Sequence, residues 1–449
     1  MTLKFRTPLK KGVSNLLIRQ RVYRYSMALI LARGISFLFS LLIIRSLPLA
    51  DIGTYYYLIG IAFPLEIFMT WGSMVSIQTL SGKSENSNVA ISAVLLSAGL
   101  CTGAFLCFLP VQYQFSYALD SSLNNPVAVI FIFSNALCNA ITGIALAYYR
   151  SLLSVKKDIY ILLTRELLKF AVVLVIQAIF SLTLPSVLLL LSGVNILMLL
   201  SVLPDLFKRS DIQLLRLKDN TLFLFRHGFL LMLTFLVYAF PFIFIRIFSY
   251  TGFGEEAAGI LNICLVTHAG FSLYSGSWGM AVKPVIGRLN NLQDLSAISK
   301  LWKDNGLMYI LGCLILYIIC LVFYAPVLNL FKLDPHNTTI RHIYFIVLLF
   351  NLVYSLGSIN NSFMQMLKLT RFELRGLAWG LLLYPMIIGY CHDKSLETLA
   401  WAMVGIELFK LMIQEVVFRL NSNLKLYNKL LINSFVIIIA LIITLTHIA

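Results

Sequence analysis

The sequence predicts an all-α polytopic membrane protein: about twelve spanning helices in two pseudo-symmetric six-helix bundles around a central cavity. Three observations carry this. Of the 449 residues, 59% are hydrophobic and 12% charged, about half the charged share of a soluble chain. Apolar runs of about 20 residues recur along the chain, each long enough to cross roughly 30 Å of hydrocarbon as a helix; a barrel would show alternating segments of about ten residues. Finally, FLFSLLIIRSLPLADIGTYYYL, from Phe37 to Leu58, is echoed by PFIFIRIFSYTGFGEEAAGILNICL, from Pro241 to Leu265. Two related halves are a common plan in transporters.

In the first stretch Ile43-Ile44-Arg45 closes a helix, Pro48 and Asp51 form the turn, and Gly53-Thr54-Tyr55 opens the next. In the second, Ile245-Arg246 closes a helix and Glu255-Glu256-Ala257-Ala258-Gly259 opens its successor, after a turn read as longer. Spans are expected near 24–47, 51–78, 88–110, 126–149, 159–181 and 186–206. A second set falls near 228–249, 257–282, 305–326, 338–365, 374–391 and 396–419, with a thirteenth candidate at 430–447. The chain thus divides into an N-terminal interfacial segment (1–23), two bundles (24–206 and 228–419) joined by a linker (207–227), and a tail (420–449). Pro64 is a candidate kink, 283–304 reads as an amphipathic connection, and Gly99/Gly103 and Gly376/Gly380 read as small-residue packing faces.

The net charge of +16 is an orientation signal. Most Lys and Arg fall in loops on one side, including Lys4, Arg6, Lys10, Lys11, Arg19, Arg21 and Arg24 in the tail and Lys208, Arg209, Arg216, Lys218 and Arg226 in the linker. The opposite loops hold Lys332 and Lys394. By the positive-inside rule the N-terminus is cytoplasmic, and no nucleic-acid partner is implied. The basic N-terminus before an apolar run is read as a retained first helix, not a signal peptide, because the run is of spanning length and lacks a small-residue cleavage site. The seven cysteines lie mostly in apolar runs without metal-site spacing, so neither a metal nor a redox role is expected. Ser81-Gly82-Lys83-Ser84 resembles the end of a phosphate loop, but Ile77 stands where its first glycine belongs. Nothing supports ATP hydrolysis, and no catalytic residue or cofactor is expected.

Charges in spans are costly, about 2.5–3.5 kcal/mol each at the bilayer centre. Arg33, Glu66, Glu407, Lys410 and His268 lie near mid-helix and must face protein or water. Arg45, Arg246, Arg165, Glu166 and Lys169 lie nearer helix ends and can snorkel. Glu407, Lys410 and Gln414 share a helix face, as do Asn135, Asn139 and Thr142, and Asn351, Ser355, Ser358 and Ser362. Polar faces on several helices imply a hydrated cavity. Its excess of cations suits an anionic cargo, with Arg33, Arg246, Arg45, Lys169 and Lys410 as substrate-binding candidates. Glu66, Glu407, His268 and Glu166 are the candidates for coupling to H+ or Na+.

An Arg-terminated helix followed by Leu47-Pro48-Leu49-Ala50-Asp51-Ile52-Gly53-Thr54-Tyr55 resembles the first hairpin of Wzx-type lipid-linked oligosaccharide flippases, in the multidrug/oligosaccharidyl-lipid/polysaccharide (MOP) superfamily. Glu256-Ala257-Ala258-Gly259 looks like the matching second-half turn. The resemblance implies a bacterial inner-membrane protein that alternates between faces. Its implied cargo is an undecaprenyl-diphosphate-linked glycan, as in O-antigen assembly, with the diphosphate held first by Arg33 and then by Arg246. Its implied partners are membrane lipids, a polysaccharide polymerase and a chain-length regulator. The alternatives are a multidrug or organic-ion exporter of the same superfamily, or a membrane polysaccharide polymerase or ligase. The short, nearly uncharged outer loops disfavour the enzyme.

Overall fold

The computed structural model describes residues 11–79, 86–114, 123, 125–151, 155–208, 214–291, 293–367, 374, 383–391, 394–421 and 429–448. Among these, all regular structure is helical. The first half comprises α1 (Lys11–Ser46), α2 (Leu49–Thr70), α3 (Ser73–Thr79), α4 (Asn86–Gln114), α5 (Pro126–Ser151), α6 (Val155–Ile179) and α7 (Leu184–Lys208). The second comprises α8 (Leu214–Phe253), α9 (Glu255–Val266), α10 (His268–Asn291), α11 (Leu295–Val322), α12 (Tyr324–Leu330) and α13 (Thr338–Met366). It continues with α14 (Leu383–Cys391), α15 (Leu396–Asn421) and α16 (Lys429–Ile448).

Eight helical segments among the described residues are long and apolar enough to cross a membrane. The chain is a polytopic helical membrane protein. Both α6 (Arg165, Glu166, Lys169) and α15 (Glu407, Lys410, Glu415) carry more charge than a lipid-facing span tolerates, and both are packed by neighbours.

In the first half α5 packs against α2, α3, α4 and α7, while α1 lies on α6. In the second, α13 is encased by α9, α10, α11, α15 and α16, with Tyr344, Phe345 and Phe350 fully buried. Its unbroken apolar run from Ile343 to Phe350 needs such a place. The halves meet where α2, α3 and α4 pack against α8, α2 against α9, and α1 against α10.

The α2 seam is tight because glycines let backbones touch. A Cβ on Gly53 would stand 2.0 Å from the Glu255 carbonyl oxygen, and one on Gly259 would stand 2.4 Å from that of Leu49. Beside this crossing Tyr57 stacks on Tyr250 at 4.2 Å, and the Tyr250 hydroxyl donates to Glu255 Oε1 at 3.0 Å. At the far end of α2, a Cβ on Gly228 would stand 1.9 Å from the Trp71 carbonyl oxygen, and Trp71 Nε1 donates to the Phe225 carbonyl at 2.9 Å.

Several expectations change. The second helix continues past Pro64 and breaks at Trp71, whose φ of 46° is left-handed. The span expected at 257–282 is interrupted at Thr267. The connection at 283–304 is absorbed into α10 and α11 around a turn at Asp294, which caps α11 by accepting from the Ala297 amide at 2.9 Å. The first helix extends back to Lys11 and α8 back to Leu214, into the segments read as interfacial and linker. Gly99 and Gly103 face open space and mediate no close approach, while Gly376, Gly380 and the 81–84 motif lie outside the described residues. The second hairpin is not longer than the first: α8 continues past Arg246 to Phe253, and Gly254 alone precedes α9.

Candidate functional site

Among the described residues, three groups of polar side chains between the helices hold most of the sequence candidates. The first joins α2, α5 and α6. Asn139 Nδ2 donates to Glu66 Oε2 at 3.0 Å, and the Arg165 guanidinium donates to Asn139 Oδ1. Arg165 Nε is 3.8 Å from Glu166 Oε1. Glu166 is also within electrostatic reach of Lys169 and Arg33, so α1 joins the group. On the same α5 face Asn135 Oδ1 accepts from Asn195 Nδ2 at 3.2 Å, and Thr142 is buried beside Cys138. Cations outnumber carboxylates here: Arg33, Arg165 and Lys169 against Glu66 and Glu166.

The second group lies on the seam. Arg246 of α8 stands 5.7 Å from the centre of the Tyr56 ring, a cation–π distance. Gly60 makes room for it, since a Cβ there would be 2.8 Å from Arg246 Cβ. Arg246 Nε has no hydrogen-bond partner. His268, at the break between α9 and α10, sits with Nδ1 2.9 Å from Asn351 Oδ1, against the rings of Phe242 and Tyr354 at 4.6 and 5.0 Å. Both Arg246 and Arg33 act electrostatically on His268. A first-half cation and a second-half cation are therefore both within electrostatic reach of His268.

The third group is in the second half. Lys410 Nζ donates to Glu407 Oε1 at 2.7 Å, and both side chains are nearly fully buried. Lys410 lies 5.6 Å from the Tyr238 ring, and Gln414 donates to the Tyr238 hydroxyl. With Ser358 and Asn361 these residues line a cavity of about 20 Å³, room for a single water.

The sequence candidates thus separate. Arg33, Glu66, Glu166 and Lys169 gather in the first half, Arg246 and His268 on the seam, and Glu407 and Lys410 in the second half. Arg246 is not at a helix end, as its place in the hairpin suggested, but inside α8. Arg45 lies apart at the last turn of α1, exposed, with Nε donating to the Leu330 carbonyl at 3.1 Å. Arg165, Asn139 and Tyr238 were not among the site candidates. The shared face of Asn135, Asn139 and Thr142 was the available signal for Asn139; Tyr238 had none.

Solved structures of the same architecture exist. A MOP-superfamily transporter from Pyrococcus furiosus aligns with a TM-score of 0.66 at 14% identity, over 93% of this chain and 96% of that one. An outward-facing multidrug-resistance MATE family transporter of the MOP superfamily aligns at 0.65 and 14% identity, over 96% and 99%. Its inward-facing counterpart aligns at 0.62 and 12%, over 92% and 95%. The fold is that of the MATE transporters. No protein-family model and no curated protein matches the chain. Within this MATE-like frame, the Glu66–Asn139–Arg165 network and the Glu407–Lys410 pair lie in opposite halves. Arg246 and His268 lie where the halves face each other.

Proposed function

We propose that this chain is an alternating-access membrane transporter that exports an amphipathic organic anion. One observation carries the reading: on the seam Arg246 leaves Nε without a hydrogen-bond partner, and both it and Arg33 of the opposite half act electrostatically on His268. Two guanidinium groups from opposite halves can hold one anion, and Arg keeps its charge at any physiological pH. Tyr56, Phe242 and Tyr354 beside them offer aromatic surface to the apolar part of such a cargo. Glu66, Glu166, Glu407 and His268 are the candidates for the ion, H+ or Na+, that drives the cycle. The comparisons favour an exporter of the multidrug class over a lipid-linked oligosaccharide flippase, because multidrug transporters are what the neighbouring structures are described as. The Pyrococcus furiosus transporter is described as having a binding pocket of reverse polarity that suggests a different function. Pocket charge is therefore a better guide to cargo than fold.

The flippase remains the second reading, because bidentate Arg contacts suit the diphosphate of an undecaprenyl-linked glycan as well as a smaller anion. Proteoliposomes distinguish the two. Uptake of an anionic fluorescent amphiphile, lost in Arg33→Gln and Arg246→Gln at equal reconstitution, supports the exporter. Movement of a labelled undecaprenyl-diphosphate sugar without uptake of the amphiphile supports the flippase. Movement of organic cations alone, unaffected by either substitution, overturns both.

A further inference from the structure

The hairpin face of the molecule, where α1 ends and α2 begins, carries a pair of bonds that the cavity does not use. Arg45 Nε donates to the Leu330 carbonyl at 3.1 Å, and the Lys332 ammonium donates to the Arg45 carbonyl. The two bonds are reciprocal. Arg45 lies in the last turn of α1 in the first half, and Leu330 ends α12 in the second with Lys332 just beyond it, so each cation satisfies a carbonyl at a helix C-terminus in the other half. Such carbonyls lack intrahelical partners and carry the negative end of the helix dipole. Beneath them Phe37 meets Phe331 edge-on at 6.1 Å.

The backbone at Lys332 points to a purpose. Its φ is 58°, and the Leu333 amide bonds back to the Leu328 carbonyl at 3.0 Å, closing α12 in the manner of a Schellman motif. Glycine is the preferred residue there, because a Cβ in the left-handed region is strained. Lysine at this position also runs against the scarcity of basic residues in the loops expected outside. A residue costly in both respects is accounted for by the bond its side chain makes across the halves.

We propose that Arg45 and Lys332 form a latch that holds the two halves closed at the hairpin face, and that it parts when the central cavity opens there. This rests on the alternating-access reading. Because both side chains are exposed, the bonds are broken without disturbing the core, and salt weakens them.

The test reads opening without requiring a cargo. Thr54, buried at the α2–α9 crossing, is replaced by cysteine in a Cys107→Ser background. The full chain in proteoliposomes is then labelled with a membrane-impermeant maleimide, and the parent lacking Thr54→Cys serves as the blank. Losing either latch bond is expected to speed labelling about tenfold in Arg45→Gln and Lys332→Gly. Lys332→Arg, which can still donate, is expected to stay within about twofold of the starting rate. Lys332→Gly also relieves the left-handed strain, so its melting temperature holds or rises while labelling accelerates. A merely structural role would couple the two in the opposite sense. Salt near 1 M is expected to accelerate labelling of the unsubstituted latch, which requires no variant. Labelling unchanged by both substitutions and by salt overturns the latch. Labelling that responds while no cargo moves leaves the latch standing and overturns the transporter reading instead.

Discussion

Gly53 of α2 and Gly259 of α9 occupy matching positions in one helix crossing. Each lies one turn into its helix and each touches the carbonyl of the other helix's first residue, Glu255 for Gly53 and Leu49 for Gly259. A contact that maps onto itself when the two helices are exchanged is the signature of a local two-fold axis. The axis passes between the hairpins, so the sequence echo is real, with a different register from the letters. Leu49 pairs with Glu255 and Gly53 with Gly259, which leaves Arg45 opposite Thr251 rather than Arg246. Arg246 is a residue of the seam, and Arg45 belongs to the hairpin face.

Side chains at these glycines will therefore force the halves apart. Gly53→Ala and Gly259→Ala should each cost about 1–3 kcal/mol through overpacking against backbone that cannot yield. The double variant should cost less than the sum, because the first displacement makes room for the second. Gly99→Ala, facing open space, should be neutral or slightly stabilising. Melting temperatures in detergent check all four; additive losses would show that the two contacts are independent.

The Glu407–Lys410 pair makes a prediction of opposite character. Both charges are buried, so removing one leaves the other uncompensated. Glu407→Gln and Lys410→Met should each cost about 3–5 kcal/mol, while the double change Glu407→Leu with Lys410→Met should recover most of it. Thermal unfolding reads the stability and transport in proteoliposomes reads the function. Recovered stability without recovered transport is the outcome expected if the pair serves ion coupling; recovery of both would make it structural glue.

Asn139 should be more sensitive than its neutral side chain suggests. It donates to Glu66 and accepts from Arg165, so Asn139→Leu strips a partner from two charged groups at once. A loss of about 1–3 kcal/mol for each group left unsatisfied follows. Asn139→Gln, longer but of the same chemistry, should recover part of it. Melting temperature together with transport rate checks this, and a Leu variant as stable as the parent would remove Asn139 from the network.

Much of this was legible in the sequence, because helix limits in a membrane follow from length and hydropathy. The thirteenth candidate at 430–447 is helical, as α16 (Lys429–Ile448), but its apolar stretch, Val436–Ile448, is shorter than a span, while the shared face of Glu407, Lys410 and Gln414 lines one cavity. Partnership was less legible. Gly99 and Gly103 have the spacing of a packing motif yet face open space, whereas Gly53 and Gly259 touch backbone without a second glycine four residues away on their own helix. Spacing reports which residues share a face, not what that face meets. For the same reason Arg246 was read as a helix end: a charge followed by polar residues looks like a terminus, and only the aromatic and glycine contacts of Tyr56 and Gly60 explain how α8 carries it at depth.

The last helix offers the final prediction. The Tyr317 hydroxyl of α11 donates to the Ala440 carbonyl at 3.0 Å and lies 2.6 Å from Thr444 Oγ1, while Asn433 Nδ2 donates to Glu415 Oε1 at 3.2 Å. Ala440 and Thr444 are fully buried, so α16 is bound into the second half at two separated levels. Tyr317→Phe keeps the packing and removes one hydroxyl, and should cost about 0.5–1.5 kcal/mol. Deleting 429–449 exposes the α13 and α11 surfaces that α16 covers and frees Glu415 from Asn433, and should cost several times more. If the shortened chain melted within a degree or two of the full one, α16 would be an appendage. A large loss, with the Tyr317→Phe variant falling between, would make it part of the bundle whose movement any transport cycle must accommodate.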